Sequence, residues 1–409
     1  MIVLQEIPGG VCAAKGVRAA GIHCGVKAGS SPEKKDLAMI LSDRECTAAA
    51  MYTTNRVKAA PIYITKDHLS DGTAWGVIAN SGNANACCPQ SKENAEAMCV
   101  AAARAVGRDS RDFAVCSTGV IGQTINISAI EAGIPTVAAQ LNEHGSDDAA
   151  HAIMTTDTVK KETAVSFEIG GREVHMGAIA KGSGMIHPNM GTMLSFITTD
   201  CAISADLLSE ALHAVIPRTF NRVTVDGDTS TNDTCAVLAN GMAENALIDW
   251  KSEDYRTFRE ALEYVCRAMS RTMAGDGEGA GRLVTCKVSH ARSEDNAERL
   301  AKSVVGSSLV KAAMFGADAN WGRVLCAMGY SKAPFDPEKV DVTFRSANGS
   351  VSVCAQGESV DFDEDLAKQV LTAGEVIIDV DIHEGEDSAE CWGCDLTYDY
   401  VRINGDYRT

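Results

Sequence analysis

Two hydrophobic periods alternate along this chain, and that alternation admits few architectures. Phe258, Leu262, Val265 and Met269 step by four, three and four residues, the repeat of one buried stripe on an α-helix. Val376, Ile378, Val380 and Ile382 recur every second residue with polar partners, the repeat of a strand with one face toward solvent. Segments of both kinds follow one another through short Gly-bearing connections, which predicts a mixed α/β fold. Helices are also expected over residues 91–107, with Ala97, Val100, Ala101 and Ala103 to Val106 as the apolar face, and after Ser204, with Leu207, Leu208, Ala211, Leu212 and Val215 on one stripe. Ser128 and Glu131 have capping-box spacing before a helix around 132–141, with Pro135 in its first turns. Leu300, Val304, Leu309 and Ala312 suggest one more helix, interrupted by Gly306. Val284, Cys286 and Val288 mark a strand. Residues 340–344 and 351–354 flank Asn348-Gly349, a pair suited to the positive φ angles of a type I′ hairpin turn. Residues 384–390 read as a solvated acidic loop.

The chain is 409 residues long, more than one ordinary domain, so two units or one large α/β body with lobes are expected. Aromatics are only 5% of it, so the core must be packed from small side chains. Acidic residues outnumber basic ones 55 to 37, a net charge of −18 that repels phosphate backbones and anionic lipid. Nucleic-acid and membrane-surface binding are therefore disfavoured. No apolar run is long enough for a membrane span, and the N-terminus lacks a basic n-region with a long apolar stretch, so a cytosolic protein is expected. The 15 cysteines are odd in number, which fits reduced, buried thiols better than a disulfide framework.

Several motifs fail on chemistry. Cys391-Trp392-Gly393-Cys394 has redox or zinc spacing, but no second ligand pair accompanies it, and it lies after a strand rather than at the start of a helix. Asp226 to Asn232 resembles the start of an EF-hand, yet Thr231 and Val237 stand where that loop needs Gly and Glu. Gly275, Gly277, Gly279 and Gly281 match neither dinucleotide nor P-loop patterns and read as a helix stop leading into a site where backbones come close. The nine histidines show no metal-binding spacing.

Residues 181–200 carry the chemistry. Lys181-Gly182-Ser183-Gly184-Met185-Ile186-His187-Pro188 reads as a loop, and Leu194, Phe196 and Thr198 alternate as a strand. Thr192 follows Gly191 where the loop feeds the strand. A threonine hydroxyl is a weak nucleophile without a base, and a threonine with a free α-amino group carries its own. That amine has a reference pKa of about 7.7–8.0, near working pH. An internal threonine reaches this state if its Oγ attacks the preceding carbonyl and water hydrolyses the resulting ester.

This segment resembles the self-cleavage region of the ornithine acetyltransferases, also called glutamate N-acetyltransferases. The similarity spans essentially the whole chain. Asn80-Ser81-Gly82-Asn83-Ala84-Asn85-Ala86, Cys116-Ser117-Thr118-Gly119-Val120-Ile121-Gly122, Met154-Thr155-Thr156-Asp157-Thr158 and Val225-Asp226-Gly227-Asp228-Thr229-Ser230-Thr231-Asn232-Asp233 all match family blocks in order. Gly277-Glu278-Gly279-Ala280, Asp318-Ala319-Asn320-Trp321-Gly322-Arg323, Asp395-Leu396-Thr397 and the ending from Asn404 to Thr409 continue the series.

The resemblance implies a self-processing α/β sandwich cut between Gly191 and Thr192 into an α chain, 1–191, and a β chain, 192–409. Gly191 departs from the alanine more usual in the family. Thr192 is implied as the nucleophile that takes acetyl from N-acetylornithine and passes it to glutamate. Thr118 and Gly119 are implied as the oxyanion hole, and Thr155, Lys181, Thr192, Glu278, Asn404 and Thr409 as substrate contacts. Lys181 suits a carboxylate and Glu278 an ammonium group. The implied assembly is an α2β2 heterotetramer with no bound cofactor or metal. Some members also accept acetyl-CoA, and the sequence does not decide whether this chain does. Two other readings compete: a related self-processing amidase that gives its acyl group to water, and a non-enzymatic thiol or metal protein built on Cys391 and Cys394.

Overall fold

The computed structural model describes residues 3–187 and 193–406. These divide into two compact units, residues 3–182, 193–221 and 229–269 in the first, and 183–187, 222–228 and 270–406 in the second.

The first unit holds β1 (Gln5–Glu6), β2 (Val17–Ile22), β3 (Leu37–Tyr52), β4 (Thr73–Asn80), β5 (Phe113–Ser117), β6 (Lys161–Ile169), β7 (Arg172–Lys181), β8 (Leu194–Thr199) and β9 (Thr234–Ala239). Among the described residues they form one sheet in the order β1-β6-β7-β8-β9-β3-β4-β5, with β2 also on β3. β3 is the hinge of this sheet. Its first part pairs with β2 and β4 and its last part with β9, and a register shift lies between Leu41 and Cys46. Ala38, Ile40, Val77, Ala79, Ala114 and Cys116 from one half share a core with Ile179, Leu194, Phe196, Ala236 and Leu238 from the other. The sheet is therefore folded over on itself, and the many alanines let the two halves approach closely.

Helices cover the outer faces. α1 (Ala60–His68), α2 (Ser91–Val106), α3 (Ile127–Ala139), α4 (Ser146–Ile153) and α5 (Ala205–Val215) belong to this unit. Met98, Cys99 and Ala102 of α2 and Ile130, Ile134 and Val137 of α3 pack on Met39, Ile78, Phe113 and Val115. α6 (Glu253–Gly275) buries Phe258, Leu262, Val265 and Met269, the stripe its spacing predicts. β8 was expected to alternate, yet all six of its residues are buried, because it is an inner strand covered on both faces.

The second unit carries β10 (Leu283–Ala291), β11 (Asp341–Ser346), β12 (Gly349–Ala355), β13 (Glu358–Ser359), β14 (Glu375–Asp381) and β15 (Asp387–Cys394), in the order β13-β12-β11-β14-β10-β15. With it go α7 (Glu294–Gly306), α8 (Ser308–Gly316), α9 (Trp321–Gly329), α10 (Glu364–Leu371) and α11 (Tyr398–Gly405). Val284, Cys286 and Val288 of β10 meet Leu300 and Val304 of α7, and Val370 and Leu371 of α10, in one core. Val376, Val380 and Ile378 of β14 join it, while the residues between them are half-buried.

Five local expectations need correction. α2 buries Ala95, Met98, Cys99, Ala102 and Ala103, with Ala101 and Val106 packed beside them as expected, whereas Val100 is exposed and Ala97 lies off the stripe that meets the sheet. α3 starts at Ile127, capped by the Asn126 side chain on Ala129 N–H (3.3 Å), so Pro135 falls well inside it. The helix over 300–312 is two helices: Ser307 restarts the chain as the N-cap of α8, and Leu309 faces solvent. In the β11–β12 hairpin the turn residues are Ala347 and Asn348, and Gly349 takes the positive φ (131°), so the turn is not type I′. Residues 387–390 begin β15, where β10 pairs with them, and the acidic loop stops at Glu386.

Among the described residues no helix is long and apolar enough to cross a membrane.

Candidate active site

In the first unit, β4 and β5 run parallel with Asn80 opposite Ser117, so both strands deliver their C-terminal ends to one edge. Buried asparagines lock the chain there. Asn80 Nδ2 donates to Asn83 O (3.0 Å), and Asn83 Oδ1 accepts from Asn85 N–H (2.8 Å). Asn232, just before β9, reaches across to donate to Ala84 O (2.6 Å) and Ser117 O (2.8 Å).

Thr118 and Gly119 leave β5 at this edge. Thr118 N–H is used, donating to Asn80 O at 3.0 Å. Among the described residues the Thr118 hydroxyl and the Gly119 N–H enter no hydrogen bond. Gly119 has φ 132°, and a Cβ on it would lie 2.4 Å from the Gly82 carbonyl carbon. Only glycine fits there, and the close approach fixes the direction of its N–H.

Lys181, at the end of β7, pairs in register with Leu194, which pairs with Thr234. Thr234 N–H donates to Met193 O (3.0 Å), which seats the chain as it enters β8. Beside this row the Asp157 side chain is fully buried. Its Oδ1 accepts from Lys161 Nζ (2.7 Å) and Gly182 N–H (2.7 Å), and its Oδ2 from Thr155 N–H (3.0 Å), with Lys181 Nζ at 4.0 Å. Burial alone raises this carboxyl's pKa. Lys181 and Lys161 together outweigh it and hold the group well below the usual carboxylate range. Two ammonium groups thus flank one carboxylate. Thr155 and Lys181, expected to share a site, are brought together through Asp157.

In the second unit, the segment 183–187 is held by backbone bonds. Glu278 N–H donates to Ser183 O (2.9 Å), and Asp226 accepts from Met185 N–H (2.6 Å) and Ile186 N–H (2.8 Å). The Glu278 carboxylate, 6% exposed, accepts from Asn404 Nδ2 at 2.7 Å. A Cβ on Gly184 would lie 2.2 Å from that carboxyl carbon, so glycine is what lets the segment close on it. Glu278 and Asn404 were predicted to belong together and do. Gly191, Thr192 and Thr409 lie outside the described residues.

A model of the ArgJ family matches residues 18–409. The chain belongs to the ArgJ family. It is 50% identical to the arginine biosynthesis bifunctional protein ArgJ of Symbiobacterium thermophilum over 407 residues, covering 99% of this chain and all of that one. The protein of the same name from Caldanaerobacter subterraneus subsp. tengcongensis is 47% identical over 407 residues, with coverage of 99% and 100%. A crystal structure of arginine biosynthesis bifunctional protein argJ from Bacillus halodurans is 44% identical, with a TM-score of 0.50, and matches 52% of this chain and 99% of its own.

Sequence reasoning on this ArgJ chain missed Asp157, Lys161 and Asn232 as site residues, although Asp157 and Asn232 lie in blocks it singled out. A buried charge next to a family block was the available signal. The C-x-x-C motif resolves as packing. Cys391 joins the core of the second unit, while Cys394 is bonded by Lys311 Nζ at 3.4 Å. Residues three apart on a strand point to opposite faces, so the two thiols cannot act as a pair. All 15 cysteines are free thiols.

His290, Asp381 and His383 form a group that could hold a metal ion. Asp381 accepts from His290 Nδ1 (2.7 Å), lies 3.3 Å from His383 Nδ1, and Asp341 bonds His383 Nε2 (2.8 Å). Three of the four ring nitrogens thus face carboxylates, which joins the group in a hydrogen-bonded network with Asp341.

His187 gives a pH prediction. Burial, followed by the charge of Lys302, lowers its pKa to about 4, and its Nδ1 lies 2.9 Å from Thr224 Oγ1. The unfolded chain binds this proton more readily, at its ordinary value of 6.5. Stability from this group is therefore present above pH 6.5 and lost as pH falls toward 4. His187→Gln should flatten that part of the acid-side decline in thermal midpoint relative to the wild type; parallel curves from pH 7 to 4 would contradict the assignment.

Proposed function

We propose that this chain cuts itself between Gly191 and Thr192 and then carries acetyl from N-acetylornithine to glutamate through an acetyl-Thr192 ester, giving ornithine and N-acetylglutamate. As an ArgJ protein it is an acyltransferase of arginine biosynthesis. The observation that carries the mechanism is the sheet edge of the first unit. There Thr118 and Gly119 keep two hydrogen-bond donors unused among the described residues, beside the point where Met193 enters β8.

The freed Thr192 amine acts as base for its own hydroxyl, which attacks the acetyl carbonyl. Negative charge develops on the carbonyl oxygen and is met by the Thr118 hydroxyl and Gly119 N–H. Such donors are worth about 10²–10³ in rate each where they have been removed from other acyl-transfer enzymes. Ornithine leaves, glutamate's amine attacks the ester, and the same two donors serve the second tetrahedral centre, which makes the kinetics ping-pong. Substrate contacts are assigned to Thr155, Lys181, Thr192, Glu278, Asn404 and Thr409. The Lys161–Asp157–Lys181 cluster supplies the positive field for a substrate carboxylate, and Glu278 the negative partner for an ammonium group.

The Bacillus halodurans chain supports the cut. Nearly all of it corresponds to 52% of this chain, and the segment 192–409 makes up 218 of 409 residues, a similar share. Acetyl-CoA is assigned as a second donor, in keeping with the relatives' designation as bifunctional. The pieces 1–191 and 192–409 are assigned to an α2β2 heterotetramer in the cytosol, with no bound cofactor.

A denaturing gel with N-terminal sequencing tests the cut. Scaling 43.1 kDa by 191/409 and 218/409 gives bands near roughly 20 and 23 kDa, the second starting at Thr192. Ornithine release from N-acetylornithine should depend on added glutamate. Release independent of glutamate would make the chain a hydrolase, and an active chain that stays whole would remove the mechanism.

A further inference from the structure

His290 and His383 lie far apart in the sequence and share no motif, yet the sheet of the second unit brings both to one carboxylate. Ser289, the residue before His290, is level with Asp381 in the β10–β14 pairing, and Asp381 is level with Asp341 in the β14–β11 pairing. Simple alternation along β10 would aim His290 away from the face that Ser289 shares with Asp381. The β10–β15 register instead shifts between Val288 and Ala291, and His290 takes φ 52° within that shift. A bulge of this kind re-aims a side chain. His383 takes φ 49°, and its N–H donates to Asp381 Oδ1 (3.0 Å). Glu384 N–H donates to His290 O (2.7 Å), which ties the two histidine-bearing segments together. The imidazoles end up stacked, with 6.1 Å between centroids and 9° between planes.

Two carboxylates directly opposite one another on neighbouring strands repel, and Asp341 and Asp381 are such a pair. The groups between them are arranged as a ligand set. His383 Nε2–H donates to Asp341 Oδ2 (2.8 Å), and Asp341 Oδ1 accepts from Gln356 N–H (2.8 Å). An ionised carboxylate can only accept, so this bond keeps a proton on Nε2 and turns Nδ1 toward Asp381 Oδ1, 3.3 Å away. A carboxylate behind one ring nitrogen is what orients a histidine that binds a metal through the other. His290 Nδ1 lies 2.7 Å from Asp381 Oδ2. One donor atom from each of His290, Asp381 and His383 can be chosen so that all lie within 4.8 Å of one another. Around a tetrahedral zinc ion, with bonds of about 2.0–2.2 Å, ligand atoms stand about 3.3–3.6 Å apart. The two imidazoles are 54% and 48% exposed, so they are free to rotate into that spacing.

We propose that His290, Asp381 and His383 bind one divalent ion of the zinc class, with Asp341 as the positioning residue for His383 and water in the remaining coordination position. Two imidazole nitrogens and one carboxylate suit Zn²⁺ and its neighbours Co²⁺ and Ni²⁺, whereas Mg²⁺ and Ca²⁺ take oxygen ligands. The ion displaces the proton from each nitrogen it binds. It offsets the facing carboxylates and clips together the ends of β10, β14 and β11. None of these residues belongs to the set assigned to acetyl transfer, so the ion is structural.

Zinc uptake by the full chain tests it. The protein is stripped with a chelator and dialysed against Zn²⁺ with excess Mg²⁺ at about pH 8, which keeps imidazoles deprotonated, and bound zinc is counted by mass spectrometry. The 15 free thiols also offer sites for zinc, so the measure is the difference between wild type and the His290→Ala/His383→Ala variant. Thermal midpoint without metal is the fold control. The expected result is an excess of one zinc ion per chain in the wild type. With Co²⁺, the difference spectrum of the same two proteins should show d–d bands and no thiolate charge-transfer band. Asp341→Asn should keep the stoichiometry and weaken binding about 10–100-fold. Equal zinc in wild type and double variant overturns the proposal, and so does a difference spectrum that carries thiolate charge transfer. Unchanged affinity in Asp341→Asn refutes its positioning role. If the double variant does not fold, His383→Gln decides by the same zinc difference.

Discussion

Thr192→Ala is expected to give one uncut chain of 43.1 kDa with no measurable acetyl exchange. The two losses have one cause. Without Oγ nothing attacks the Gly191 carbonyl, so the α-amine that should serve as base is never released. Without Oγ there is also no atom to carry the acetyl group. Removing the nucleophile of an acyl-transfer enzyme costs about 10⁶-fold in turnover, enough to put residual activity below detection. Thr192→Ser keeps the hydroxyl and should still be processed. The comparison separates a chemical role from a packing role. If threonine were there only as a β-branched residue at a strand start, serine would disturb the chain nearly as much as alanine. Processing of the alanine variant, or equal failure of both, would show that another residue performs the cut.

The parts of this picture legible in the sequence are those carried by short-range periodicity or by contiguous blocks. The stripe of α6, the alternation in β14 and the hairpin joining β11 to β12 follow from spacing alone. Which face of α2 meets the sheet was only partly legible, because alanines populate both sides and only docking distinguishes Ala95 and Ala102 from Ala97. Thr118, Thr155, Lys181, Glu278 and Asn404 were named from blocks, and the structure groups Thr155 with Lys181 and Glu278 with Asn404. What joins them was not legible. Asp157 binds Gly182 N–H 25 residues away, and Asn232 reaches Ser117 O across 115. The first needs the β6–β7 hairpin to bring its two ends together, and the second needs β9 to pair with β3, β3 with β4 and β4 with β5, so both are properties of strand pairing rather than of any local pattern.

Glu278→Gln should separate binding from stability. The carboxylate is 6% exposed, and Asn404 Nδ2 donates to it. Glutamine preserves an acceptor oxygen for that bond and is nearly the same size, so the close approach of Gly184 is undisturbed. It also removes the desolvation cost of a buried charge, and the thermal midpoint should hold or rise slightly. Function should move the other way. A hydrogen bond to a charged group contributes about 1.5–3 kcal/mol, so losing the ammonium's counter-charge lowers kcat/KM for N-acetylornithine by about 10²-fold. The loss should fall mainly on KM, since the proposed mechanism assigns the acetyl carbonyl to Thr118 and Gly119 and not to Glu278. Processing should proceed normally, because self-cleavage has no substrate ammonium to recognise. A variant that is cut, stable and unimpaired with N-acetylornithine would mean that Glu278 serves only to hold Asn404 and the 183–187 segment. A carboxylate kept nearly dry with its charge only partly compensated is a poor choice for stability alone, and that is the physical reason to assign it to the substrate.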